Sequence, residues 1–307
     1  MISVIIPTFN RAEALIKTLK SIECQNPSGV NFEVIIVDDG SKDDTTRQVE
    51  DFKKDAKINV SYYYQDNGGP ASARNLGVEK AKGEVVLFCG DDSIFDKDLM
   101  RQHYIYHKNN SDTAILGTVL WDEAINPSDF MHFLAPQGPM FHYHTIKDIF
   151  DAKFNHFYTI NISLGKKWFE DVKFDTKFKL AAFEDIEVGL ALEKKGLKIV
   201  YNKDAKIYHS HYYIPELFYE RMVKVGKSIA IFRNKYKDNW VDLFRIDFVY
   251  APFMLFPFGL RLFNIVSDNM RKSEIIKKVS LKLHWLSNIA YFYSKGILNG
   301  LEERIYY

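Results

Sequence analysis

The chain has 307 residues, 47% hydrophobic and 15% aromatic, enough for one large domain or a domain with a substantial appendage, and too apolar for a disordered chain. A formal net charge of +1 hides an asymmetry: residues 220–307 carry 15 Lys/Arg against 8 Asp/Glu, leaving 26 against 32 in residues 1–219. An acidic first part suits metal binding and a basic end suits anionic headgroups or a phosphate-bearing acceptor, while no nucleic-acid recognition motif accompanies the basic end.

The chain enters a buried-strand pattern at Ile2-Ser3-Val4-Ile5-Ile6 with no basic leader or cleavage site, which argues against a secretory signal. The strand stops at Pro7-Thr8-Phe9-Asn10-Arg11, and an amphipathic helix pattern covers 11–24. A second apolar run, 32–37, ends in Asp38-Asp39-Gly40-Ser41, after which the acidic pair Asp43-Asp44 starts a helix over 43–54. Strands near 58–64 and 84–89 alternate with helices near 70–81, where Pro70 fits the first turn, and 96–109. This alternation predicts right-handed βαβ crossovers and an α/β fold with a Rossmann-like, mostly parallel sheet and helices on both faces.

Further strands are expected over 113–120 and 158–164, with a helix over 184–195 ended by Gly196 and two short strands at 198–202 and 205–209. The irregular stretch 122–156 has the character of a lid or binding loop. Its histidines, His132, His142, His144 and His156, fit no zinc spacing and read as surface or core packing in an aromatic-rich loop. Cys24 and Cys89 lie in apolar patterns and read as buried thiols of a reducing compartment.

Chemistry concentrates at the strand ends. Val85-Val86-Leu87-Phe88 runs into Cys89-Gly90-Asp91-Asp92-Ser93, and open α/β sheets hold ligands at the carboxyl ends of their strands. Hard carboxylate oxygens there suit a divalent cation carrying a phosphate-bearing substrate. With Pro7–Arg11 and Asp38–Ser41, three loops converge on one edge, a match for the base, the ribose, and the metal with diphosphate of a sugar nucleotide. No G-x-G-x-x-G follows the first strand, which weighs against NAD or FAD, and no G-x-x-x-x-G-K-[ST] is present, which weighs against a P-loop ATPase.

The ordered set Val-Ile-Ile-Pro-Thr-Phe-Asn-Arg (4–11), Val-Asp-Asp-Gly-Ser (37–41), Asn-Gly-Gly-Pro-Ala-Ser-Ala-Arg-Asn (67–75), Gly-Asp-Asp-Ser (90–93) and Phe-Glu-Asp (183–185) resembles family 2 glycosyltransferases of the GT-A fold. The resemblance covers roughly residues 1–210. It implies a catalytic domain over 1–212, with a nucleotide-sugar half to about 110 and an acceptor half over 111–212, followed by a helical region over 213–307. It further implies inverting transfer of a sugar from a nucleotide diphosphate donor, UDP-sugar foremost, to an acceptor hydroxyl, with Mn²⁺ or Mg²⁺; the basic, apolar end of the chain points to a surface glycan or lipid-linked glycan as that acceptor. The implied donor-binding set is Pro7, Thr8, Phe9, Arg11, Asp38 or Asp39, Gly69, Arg74 and Asp91. Pro7 and Phe9 would line the base pocket, Asp38 or Asp39 would accept a hydrogen bond from the uracil or ribose, Arg74 would approach the base and diphosphate region, and Asp91 would hold the ribose.

Asp92 would ligate the metal with His209, a better match than His211, and Asp185 would be the general base, its ionised form favoured by the helix start. The acidic motif often begins with Asp, where this chain has Gly90. The rival readings are a non-catalytic nucleotide-sugar-binding or scaffold module, and a sugar-1-phosphate nucleotidyltransferase, for which Pro7–Arg11 lacks the glycine-rich loop.

Beyond 212 a basic helix is expected over 213–236. The apolar run 248–260, between Asp247 and Arg261, is too short for an ordinary membrane span and is broken by Pro252 and Pro257. A last helix, 273–301, places Leu281, Trp285, Ile289, Tyr293, Ile297 and Leu301 four apart. Such a stripe beside lysines fits a helix in a membrane interface, or else packing on the catalytic domain or in a homodimer. The expectation is a cytoplasmic protein held peripherally at the inner face of the membrane.

Overall fold

Runs of β-branched residues, buried on both faces, form the middle of an eight-stranded sheet. The computed structural model describes residues 1–25, 29–109, 112–180, 182–239 and 274–302. The chain divides into two units, 1–179 with 184–212, and 180–183 with 213–307.

In the first unit β1 (Ile2–Thr8) lies between β2 (Phe32–Asp38) and β4 (Val85–Cys89), with β3 (Val60–Tyr64) outside β2, all parallel. Helices α1 (Ala12–Glu23), α2 (Thr45–Asp55) and α3 (Pro70–Lys80) are the crossovers that parallel pairing requires. Beyond β4 come β7 (Asn161–Gly165), antiparallel to its neighbours, then β6 (Thr113–Trp121), β8 (Lys198–His209) and, at the edge, β5 (Ser93–Phe95). The unit also holds α4 (Leu99–Asn109), α5 (Asp129–Leu134) and α6 (Glu184–Lys194). Because β1, β2, β4, β6 and β8 point the same way, Thr8, Asp38, Cys89, Trp121 and His209 all end at one edge of the sheet.

Several sequence expectations are revised. The acidic turn after β4 leads directly into β5, a strand too short to carry a period. The stretch 122–156 contains α5, whose first turn is capped by the Ser128 hydroxyl accepting from Met131 N. It packs inward: Tyr143 donates its hydroxyl to Gly117 O at 3.1 Å, and Met131 O accepts from Trp121 Nε1 of β6 at 2.7 Å. His156 is buried against the Thr145 hydroxyl, in line with a packing role. Cys89 is buried as expected, but Cys24 is exposed, because it stands on the C-cap of α1 where the apolar face has ended.

The second unit contains α7 (Pro215–Lys235) and α8 (Glu274–Glu302). The two helices touch backbone to backbone: a Cβ on Gly226 would lie 2.2 Å from Tyr293 O, and one on Gly296 would lie 2.1 Å from Val223 O. Trp285, Ile289, Tyr293 and Ile297 of the four-apart stripe are buried, while Leu281 is exposed. The apolar run 248–260 lies outside the described residues. Among the described residues no helix is long and apolar enough to cross a membrane.

The end of the sheet that carries β8 is held by a buried polar chain. The sequence predicts two strands over 198–209, and the structure has one, with its β6 register shifted between Leu116 and Thr118. Asn161 fills the shift: its Nδ2 donates to Thr118 O at 3.1 Å and Ala205 O at 2.9 Å. That orientation leaves Asn161 Oδ1 as acceptor for His103 Nε2 at 3.0 Å, so His103 Nδ1 accepts from Ser163 Oγ at 2.7 Å, and His107 Nε2 donates to the same hydroxyl at 2.7 Å. Burial pushes the His103 imidazole down to about 3, which keeps this chain neutral. Gly117 makes room for it, since a Cβ there would meet Asn161 Nδ2 at 2.2 Å and Ala205 O at 2.4 Å. Gly117→Ala is therefore expected to destabilise the fold by about 2 kcal/mol, seen as a lower urea midpoint with an unchanged slope.

Candidate active site

Three loops meet the carboxyl edge of the sheet. After β1, Phe9 is 44% exposed. Asn10, at a φ of 53°, ties this loop to the next: its N–H donates to Ser41 Oγ at 2.8 Å and its Oδ1 accepts from Lys42 N at 2.7 Å. Sequence reasoning did not single out Asn10; a non-glycine residue in the left-handed region beside Arg11 is visible only in the backbone.

After β2, the two aspartates face different partners. Asp38 is fully buried, accepting from Ser41 N at 2.7 Å and from the Tyr62 hydroxyl at 2.6 Å. Asp39 accepts from Gly68 N and Gly69 N at 2.8 Å each and from Gln65 Nε2 at 2.7 Å. It thereby shapes the loop in front of α3, whose Gly69 has a φ of 87° that disfavours any side chain.

After β4, the acid pair is enclosed by groups from distant strands and helices. Asp91 accepts from Thr8 Oγ1 at 2.8 Å, and its backbone carbonyl accepts from Thr18 Oγ1 at 2.9 Å. Arg11 spans the pair, with Nη1 at 3.1 Å from Asp91 Oδ1 and 2.8 Å from Asp92 Oδ2. His209 Nε2 lies 3.1 Å from the same Asp92 oxygen, and the indole of Trp121 stacks on the His209 ring at 5.5 Å. Gly90 fits because a Cβ at that position would stand 2.9 Å from Asp92 Oδ1.

Charge divides the pair. Burial and the neighbouring Asp92 charge push the Asp91 carboxyl up to about 6, against Arg11 and Thr8. Burial also works to raise Asp92, but His209 and Arg11 outweigh it and hold that carboxyl below the usual range. Asp92 and His209, with Asp91 beside them, form an oxygen–nitrogen donor set that fits Mn²⁺ or Mg²⁺. Among the described residues no group of three His, Cys, Asp or Glu converges as a ready-made cage. Two protein ligands suffice where water and substrate phosphates complete the shell.

A second acidic pair opens α6. Phe183, at a φ of 68°, turns the chain into it. Glu184 is buried, with Oε1 accepting from Arg74 Nη1 at 2.8 Å, and the Arg74 guanidinium lies over the Phe174 ring at 5.6 Å. Arg74, expected to approach the diphosphate, is thus engaged by Glu184. Asp185 is the more open of the two and accepts from Ile186 N at 2.9 Å. The helix start was expected to favour its ionised form. Instead burial, followed by the Glu184 charge, outweighs Arg74 and the backbone donors and pushes the Asp185 carboxyl up to about 7.

A sequence profile for glycosyl transferase family 2 matches residues 3–172. The chain belongs to that family. It is 39% identical over 122 residues to an uncharacterized glycosyltransferase of Rickettsia conorii, covering 36% of this chain and 20% of that protein. It is 26% identical over 243 residues to the poly(ribitol-phosphate) beta-N-acetylglucosaminyltransferase TarS of Staphylococcus aureus, covering 77% of this chain and 42% of TarS. With a validoxylamine A glucosyltransferase of Streptomyces hygroscopicus it shares 28% over 230 residues, 67% of this chain and 54% of that one. The chain spans a fifth to just over half the length of these relatives.

Among solved structures, the mannosyltransferase PcManGT of Pyrobaculum calidifontis, in complex with GDP-Man and Mn²⁺, superposes with a TM-score of 0.70 at 14% identity, covering 99% of this chain and 87% of that one. TarS residues 1–349 with UDP superpose with a TM-score of 0.56 at 20% identity, covering 98% and 91%. These likenesses show the GT-A fold. The family match stops before Glu184, Asp185 and His209, so their roles rest on geometry.

The Arg74–Glu184 pair offers a direct test of how the site is braced. Glu184→Leu leaves a buried guanidinium without its counter-charge and is expected to cost about 3–5 kcal/mol in urea unfolding, with much of that loss recovered in the double variant Arg74→Met/Glu184→Leu.

Proposed function

We propose that this chain is an inverting glycosyltransferase that moves a sugar from a nucleotide diphosphate, a UDP-sugar foremost, to a hydroxyl of a glycan acceptor. The observation that carries the reading is the division of the α6 pair. Glu184 is buried and paired with Arg74, while Asp185 is half-buried and its carboxyl is pushed up to about 7, where a general base works best. Support also comes from the relatives: TarS has been crystallised with UDP-GlcNAc and PcManGT with GDP-Man and Mn²⁺.

In this reading the exposed ring of Phe9 receives the base, and the loop held by Asp39 and Gly69 shapes the wall beside it. Asp91, fixed by Thr8, faces the ribose. Asp92 and His209 would hold a divalent cation, which when bound would neutralise charge on the leaving diphosphate. Asp185 takes the proton of the acceptor hydroxyl as its oxygen bonds to the anomeric carbon. The bond from that carbon to the diphosphate breaks on the opposite face, and the nucleoside diphosphate leaves. We place the acceptor on a surface or lipid-linked glycan made in the cytoplasm at the inner face of the membrane, a choice supported by the excess of Lys/Arg in residues 220–307.

Asp185→Asn is expected to lower transfer by at least about 10²–10⁴-fold while nucleotide affinity stays near wild type. Because the ionised carboxylate is the active form, the rate should fall about tenfold per pH unit below about 7. Residual transfer with lost nucleotide affinity in Asp185→Asn would put the base elsewhere. Calorimetry with UDP, dTDP and GDP should show one nucleotide bound tightly only with Mn²⁺ and lost in Asp92→Ala. Failure of all three to bind would favour a scaffold over an enzyme.

A further inference from the structure

Arg11 stands where a cation on the acid pair would stand. Its Nη1 lies 2.8 Å from Asp92 Oδ2, the oxygen that also faces His209 Nε2 at 3.1 Å. The guanidinium and a divalent ion held by Asp92 and His209 therefore need the same oxygen, and two cations at contact distance on one oxygen repel strongly. The side chain has a way out. Arg11 is one-third exposed, its Nη2 already rests 2.6 Å from His211 Nδ1, and it borders a cavity of about 760 Å³ lined by Asn10, Lys17, Lys42, Gln48 and Tyr212.

We propose that Arg11 is a built-in counter-ion of the Asp91–Asp92 pair, displaced when a divalent cation binds and then free to pair with the diphosphate of the donor. The inference rests on the reading that Asp92 and His209 hold the metal. Without metal, the guanidinium supplies the positive charge that two adjacent buried carboxylates need. With metal, that charge is redundant at the pair, and a planar two-pronged donor suits phosphate oxygens. Metal and nucleotide diphosphate then bind synergistically, each strengthening the other by the same factor. Arg11 is a positioning residue in this scheme, acting on the metal site by leaving it.

The test counts free Mn²⁺ by its electron paramagnetic resonance signal in titrations of the full chain, with and without UDP. Arg11→Gln is expected to bind Mn²⁺ alone about tenfold more tightly than wild type, because its competitor is gone. UDP should strengthen Mn²⁺ binding by about fivefold or more in wild type and by much less in Arg11→Gln. Arg11→Lys, which keeps the charge and loses the fork, should fall between them, and it decides the matter if circular dichroism shows Arg11→Gln to be unfolded. Equal Mn²⁺ affinity in wild type and both Arg11 variants, with binding lost in Asp92→Asn, overturns the counter-ion and leaves the metal site standing. Mn²⁺ binding that survives Asp92→Asn, or is absent from every form even with UDP, overturns the metal reading and this inference together.

Discussion

Two adjacent carboxylates cannot be buried at a strand end unless positive charge and hydrogen-bond donors are brought to them, and in this protein much of the site follows from that demand. Thr8 comes from β1, Arg11 and Thr18 from the chain around α1, and His209 from the end of β8. The backbone joins in as well, with Ser210 N donating to Asp92 O at 2.8 Å. These groups come from both ends of the unit's sequence, so solvating the pair also fastens the nucleotide-side strands to the last strand of the sheet.

The same economy recurs in each acidic doublet of the site. Asp38 is turned into the protein against Ser41 and Tyr62, while Asp39 organises the glycine loop. Glu184 is held by Arg74, while Asp185 keeps contact with solvent. Asp91 and Asp92 differ in the ease with which they hold a proton, because Asp92 has His209 as well as Arg11 beside it. In each doublet the two acids meet different partners, and at α6 only Glu184 is paired with an arginine. Neighbours in sequence thus acquire different settings from their surroundings alone.

Much of this was legible before the structure. Apolar runs ending in Pro7–Arg11, Asp38–Ser41 and Gly90–Ser93 located the strands, and parallel order placed their ends on one edge. What escaped were features defined by distant partners. Nothing near His103 in sequence says that its imidazole meets Ser163, and nothing near Asn161 announces a register shift beside Gly117. The ionisation of Asp185 has the same character: the helix start of α6 is a local property, whereas the burial that raises its carboxyl is set by the fold. Arg74 shows the limit most plainly, since a motif gives its position and only the fold reveals that Glu184 occupies it. The stripe on α8 was visible as an apolar face, and Trp285, Ile289, Tyr293 and Ile297 on it are buried.

The chain of His107, Ser163, His103 and Asn161 has an evolutionary consequence. Each member donates to or accepts from the next in a fixed direction, and the last closes two strand carbonyls. Replacing any one by an apolar residue strands its neighbours in a buried place, so no path of single neutral steps leads from this polar seam to a greasy one. A change at His107, Ser163, His103 or Asn161 is therefore expected to be tolerated best when its neighbours in the chain change with it.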